Sequence, residues 1–145
     1  MAASLQDLRQ KFPRLKAGNC RFSSPEDPKY NCIAWAAGED AIWWEPDPMY
    51  SYHWPVTVPR VYTVPAYIEA LGTKGYVPCD NHKKERGVAK IALYALNNLP
   101  KHASRQLDDG WWGSKLGTDV DIEHTFSALD GGAYGNVIQV LCKRV

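Results

Sequence analysis

The chain has no long apolar run. Nothing in its 145 residues approaches the roughly 20 needed to span a bilayer as a helix, so no membrane-spanning role is expected. It has almost no net charge, +1 from 17 basic and 16 acidic residues. Neither nucleic acid nor an anionic membrane surface is therefore favoured as a partner. The one basic cluster, Lys83-Lys84-Glu85-Arg86, is short and contains an acid. No glycine-rich loop follows a strand at phosphate-binding spacing, which excludes the common nucleotide motifs. None of the four cysteines forms a CxxC pair and the four histidines are scattered, so no metal and no cofactor is expected. Residues 1–15 lack the apolar core of a secretion signal. Reduced thiols and a cytoplasmic setting are then the expectation, with leaderless export the exception.

What is present is ordinary in bulk and uneven in distribution. Apolar residues make up 45% of the chain and charged residues 23%, which suits one globular domain large enough for a real core. The first part, to about residue 74, is helical and rich in tryptophan and proline, and the rest alternates like a sheet. Leu5, Leu8 and Phe12 predict a short amphipathic helix near the start. The run Tyr30-Asn31-Cys32-Ile33-Ala34-Trp35-Ala36-Ala37-Gly38 predicts another, with Asn31 as N-cap and Gly38 as stop. Thr63 and Pro65 predict the start of a third, with Val64, Tyr67, Ile68 and Leu71 on one face and Gly72 at its end.

Strands are predicted at 75–78, 88–96, 101–107, 111–116 and 136–144, with turns at Asn97-Asn98 and Asp108-Asp109-Gly110. A short helix is predicted over 121–129. Helices first and an antiparallel meander after make an α+β layout.

Cys32 is the residue most suggestive of chemistry. In the first turn of a helix its sulfur meets unpaired backbone N–H groups and the positive end of the helix dipole, which favour thiolate. Thiolate is the nucleophile a cysteine hydrolase needs. The plainer alternative is a small buried core residue. His102, Ser104 and Gln106 alternate, so on a strand they share a face. His102 suits a general base, and Gln106 an orienting or oxyanion-binding amide. Ser114 and Lys115 on the following strand border the same cleft in this reading. The alternative is the wet face of a sheet. Asp121 and His124, three apart, would share a face of the expected helix, either as a second base with its partner or as a cap and tether. Trp35, Trp43, Trp44 and Trp54 fall within twenty residues of one another and suggest a binding wall, or else cover for the core.

These motifs carry a resemblance. Cysteine at a helix N-terminus followed by Lys90-Ile91-Ala92-Leu93-Tyr94 and Lys101-His102-Ala103-Ser104 resembles the papain-like cysteine amidases, in their NlpC-type and CHAP branches. The segments YNCIAWAAG, YHWP, KIALYA, HASRQLDDGWWGSKLG and DIEH, with a late Tyr134-Gly135, more closely resemble an uncharacterised bacterial family. The amidase resemblance implies a papain-like fold in which N-terminal helices pack on a small antiparallel sheet. It also implies an acyl-enzyme on Cys32, with a peptide or protein as substrate. One departure stands out: Lys90 occupies the place of the usual base histidine, and His102 that of the orienting residue. His102 is therefore expected to act as the base itself. The function expected is hydrolysis or transfer of an amide bond. Two alternatives stand beside it: a non-catalytic peptide- or glycan-binding module, and a toxin-like effector or defence component using the same chemistry. Oligomeric state is not legible.

Overall fold

A computed structural model describes residues 4–24, 32–38, 42–116 and 121–145. Among these described residues, three short helices, α1 (Leu5–Lys11), α2 (Cys32–Ala36) and α3 (Val64–Gly72), accompany seven strands. The strands are β1 (Cys20–Ser24), β2 (Val77–Cys79), β3 (Val88–Leu96), β4 (Leu99–Gln106), β5 (Trp112–Lys115), β6 (Asp121–His124) and β7 (Asn136–Arg144). All seven form one antiparallel sheet in the order β1-β6-β5-β4-β3-β7-β2. This overturns the expected papain-like arrangement of N-terminal helices on a small sheet. The molecule is a β-rich domain whose sheet recruits β1 from the part of the chain read as helical. No helix among the described residues is long and apolar enough to cross a membrane.

Local chemistry explains the elements. Ser4 caps α1 reciprocally with Asp7, a capping box that satisfies two N-terminal donors. The Thr63 hydroxyl accepts from the Ala66 N–H at the start of α3. β3 and β4 are joined through Asn97 and Asn98, both at positive φ (53° and 65°), the conformation a tight hairpin turn demands.

The predicted helix over 121–129 is a correction. Residues Asp121–His124 instead form β6, paired with β1 on one side and β5 on the other. Four residues of alternating character follow the period of two, so Ile122 and His124 enter one layer while Asp121 and Glu123 face the other way. Two flanking strands supply ladder partners that a one-turn helix would lack.

Alternation along β3 divides the core. Ile91 and Leu93 join α2, α3, Trp44 and Trp54 on one face. Ala92 and Tyr94 join Leu8, Phe12, Trp112 and Ile122 on the other. Cys79 of β2 and Cys142 of β7 form a disulfide between neighbouring strands. The expectation of four reduced thiols is thereby corrected: proximity across a strand pair, invisible in the spacing, brings these two together. Cys20 and Cys32 are free.

Candidate functional site

β4 and β5 pair only through Arg105↔Gly113 and Gln106↔Trp112. The same register continued would set Ser104 opposite Ser114 and Ala103 opposite Lys115, but the backbones part there. Cys32 sits at this opening. The nearby backbone N–H groups of Ala103, Ile33 and Cys32 itself favour a negative charge on its sulfur. Burial pushes the thiol up to about 11, while those N–H groups and the Lys115 ammonium pull the other way without overcoming it. The resting sulfur is therefore a thiol, not the thiolate that the helix N-terminus alone suggests.

On the other face, His102 is fully buried, its ring stacked on Tyr134 at 4.3 Å and tilted against Tyr94 at 5.3 Å. A chain of hydrogen bonds decides its tautomer. His124 Nδ1 lies 2.8 Å from the Thr125 carbonyl, which can only accept, so Nδ1 carries the hydrogen. Burial holds His124 down to about 4, so it is neutral and its Nε2 is a bare acceptor. Ser114 Oγ, 2.7 Å from that Nε2, gives its only hydrogen there. Ser114 then has no hydrogen left for His102 Nε2 at 2.9 Å and accepts from it, with Ser104 Oγ also 2.7 Å away. His102 therefore carries its hydrogen on Nε2. Burial, and secondarily the repulsion two protonated rings would suffer beside His124, holds His102 well below its ordinary value. Its Nδ1 is thus a bare lone pair, buried and without a hydrogen-bond partner.

Cys32 packs with the helical layer and the His102 ring with the opposite layer. The two meet at the peptide unit joining His102 to Ala103, whose N–H faces the sulfur.

Cys32 also lines a cavity of about 340 Å³. Trp43, Tyr62, Tyr67 and Tyr134 are aromatic lining residues, and Glu45 and Lys101 are the charged ones. Glu45 accepts from Trp43 Nε1 at 3.3 Å and from the Tyr62 hydroxyl at 2.5 Å. Burial and the Glu45 carboxylate push Tyr62 up to about 12, so it remains a donor. Burial raises Tyr67 as well.

Residues 21–142 match the family model described as a domain of unknown function, DUF7689. The chain belongs to this family. No curated protein and no solved structure matches it.

The DUF7689 domain brings together some of the residues the sequence singled out and separates others. Ser104, Ser114 and His124 join His102 in one network. Gln106 does not. Its Nε2 donates to the His82 carbonyl at 2.9 Å, so the orienting role expected of it falls to Ser114. Lys115 and Asp121 lie on the Cys32 face, with Nζ and Oδ1 4.0 Å apart. Asp121 and His124, expected to share a helix face, point to opposite faces because β6 is a strand. Asn31, the expected N-cap, lies outside the described residues.

Of the four tryptophans only Trp43 lines the Cys32 cavity. Trp44 and Trp54 are core, 2% and 4% exposed, so the wall expected of them is internal. Trp54 packs on Tyr67 and donates to the Pro59 carbonyl at 3.0 Å. Trp35 lies over Gly113 and under the Arg105 guanidinium at 4.3 Å. Glu45, Tyr62, Tyr67, Lys101 and Tyr134 were not legible as site residues, because contacts across dozens of residues have no sequence signature. Only the Tyr134-Gly135 pair stood out locally. Among the described residues, no group of three or more His, Cys, Asp or Glu side chains is placed to hold a metal.

Proposed function

We propose that this DUF7689 domain is a cysteine-dependent enzyme that cleaves or transfers an amide bond, built on a β-rich sheet. The observation that supports it is the meeting of Cys32 and His102 at one peptide unit. Backbone N–H groups of Ala103, Ile33 and Cys32 itself favour the thiolate form there, and the imidazole is held on the far side of β4 by Ser114. Cys32 Sγ attacks the substrate carbonyl carbon as its thiol proton passes to the substrate nitrogen, while His102, across β4 and out of hydrogen-bond contact with the sulfur, positions the peptide unit beside it. The backbone N–H groups stabilise the oxyanion. The C–N bond breaks with that proton on the leaving amine. Water, or a second amine, then releases the acyl group from sulfur and regenerates the thiol. A neutral resting thiol fits this scheme: the group is desolvated, and forming a charge there is costly.

The raised thiol favours a second reading, a peptide-binding pocket in which Cys32 is a neutral lining residue. Either reading takes a peptide or protein as its ligand. The Cys79–Cys142 bond argues for maturation where thiols are oxidised, against the cytoplasmic setting expected from the chain alone.

The deciding experiment uses p-nitrophenyl acetate as an activated acyl donor, with intact-mass and peptide mapping. The enzyme reading expects one acetyl group on Cys32, with p-nitrophenol turnover lost in Cys32→Ala and slowed in His102→Ala. Turnover and labelling unchanged in Cys32→Ala would end that reading in favour of the binding pocket.

A further inference from the structure

The Cys32 cavity holds a carboxylate that the acyl chemistry above does not use. Glu45 is partly buried, and each of its oxygens is fixed by a neutral aromatic donor, Trp43 Nε1 at 3.3 Å and the Tyr62 hydroxyl at 2.5 Å. These donors orient the carboxylate without cancelling its charge. Among the described residues no lysine or arginine forms an ion pair with it. Arg60 touches only the Glu45 carbonyl, at 3.3 Å, and pairs with Asp47 at 2.8 Å. The cavity around Glu45 is lined by the rings of Trp43, Tyr62, Tyr67 and Tyr134. Aromatic faces are negative in quadrupole and attract cations, more strongly where water is excluded. Lys101, the other charged lining residue, is solvent-exposed, so its repulsion is screened.

An oriented carboxylate among aromatic rings matches a cation. A neutral sugar would leave the charge unanswered, and an anionic group would be repelled. We propose that this cavity takes a primary ammonium group, such as a lysine side chain, against Glu45 on a peptide whose reacting amide lies at Cys32. The proposal rests on the reading of the Cys32 cavity as the substrate site.

The test is a titration of Nα-acetyl-lysine methylamide and its neutral isostere Nα-acetyl-norleucine methylamide into Cys32→Ala protein, followed by tryptophan fluorescence and by NMR. Without the nucleophile, binding is read whether or not Cys32 reacts. The failure of this proposal is thus distinct from the failure of the enzyme reading, which the acylation experiment judges. The lysine probe is expected to bind about tenfold more tightly than norleucine, with the preference lost in Glu45→Gln and reduced in Trp43→Leu. Folding of both variants is checked by thermal melting. Equal affinity for the two probes, absence of saturable lysine binding, or a preference that survives Glu45→Gln would overturn the proposal.

Discussion

His102 Nε2 lies 2.9 Å from Ser114 Oγ and donates its hydrogen to it, because Ser114 has already given its own hydrogen to His124. One serine thus transmits the carbonyl bond at His124 Nδ1 into a fixed tautomer at His102, across β4, β5 and β6. The arrangement leaves the nitrogen nearer the ring's attachment, Nδ1, as the basic one.

Removing Ser114 breaks that transmission. Ser114→Ala leaves buried nitrogens and a hydroxyl without their partner, and is expected to cost about 1–3 kcal/mol of stability. In the same variant, His102 loses the hydrogen bond that holds its ring and, through it, the peptide unit beside Cys32. Acylation of Cys32 by p-nitrophenyl acetate should therefore slow, while Ser114→Thr, which keeps a hydroxyl, recovers part of the rate. Urea unfolding and the acylation rate check the two halves separately.

Acid should destabilise the fold through its buried imidazoles. His124 is held at about 4 in the folded protein, against an ordinary 6.5 in the unfolded chain. Below the ordinary value the unfolded state binds the proton that the native state refuses, so stability rises with pH. The contribution is intact above about pH 6.5 and falls away as pH drops from there to about 4, by about 3 kcal/mol for His124 alone. His102 acts in the same direction. Urea midpoints measured across that range should fall toward acid, less steeply in His124→Asn. A midpoint flat from neutrality to about pH 4.5 would contradict the buried neutral pair.

Cys32 in the resting protein should be a slow thiol. With its value pushed up to about 11, alkylation by iodoacetamide at about pH 8 should run roughly a hundredfold slower than for an unperturbed cysteine. The rate should keep climbing well into the alkaline range. Residue-resolved mass spectrometry distinguishes it from Cys20, the other free cysteine, whose thiol burial also raises. Fast alkylation at neutrality would mean that the thiolate is already formed.

Native protein purified without reductant should show two titratable thiols, and four after reduction and unfolding. The disulfide spans 63 residues, for which the chain-entropy relation gives about 4 kcal/mol. Cys142→Ser should lower the melting temperature by an amount that reductant also produces in the wild type. Four thiols in the untreated native protein would refute the bond.

Gly135→Ala should be among the most damaging single changes. The residue sits at φ 74° and an added Cβ would strike the carbonyl of Ala95. Both the backbone conformation and the space forbid it, and a loss of more than about 2 kcal/mol is expected. Gly38→Ala has the same backbone demand (φ 92°) but open space around it and should cost less. Paired thermal melts compare them.

Much of the local structure was legible. The Asn97-Asn98 turn, the Thr63 cap, the 88–96 strand and the closing strand follow from turn chemistry, capping and period, all of which act within a few residues. The segment at 121–124 reads as helix in the sequence because four residues hold too little periodicity to choose between helix and strand, and the pairing that chooses comes from β1, a hundred residues away. β1 itself had no alternation strong enough to announce it. The tryptophan cluster was legible as a cluster, but whether a ring faces cavity or core depends on what the loop folds onto. Trp43 and Trp44 are adjacent and part ways for that reason.

The sequence by itself determined the absence of membrane-spanning apolar runs, the near-neutral charge, the start of α3, the central hairpin and the placing of Cys32 at the first residue of a short helix. These depend on neighbours in the chain. Only the tertiary structure decided that the sheet has seven strands, that Cys79 meets Cys142, and that His102, Ser114 and His124 share one hydrogen-bond chain. The same is true of the oriented carboxylate of Glu45 within an aromatic cavity. Those facts arise from pairing and burial between segments far apart. Burial then reverses the local chemistry, turning a helix-terminal thiolate into a thiol and two histidines into neutral bases.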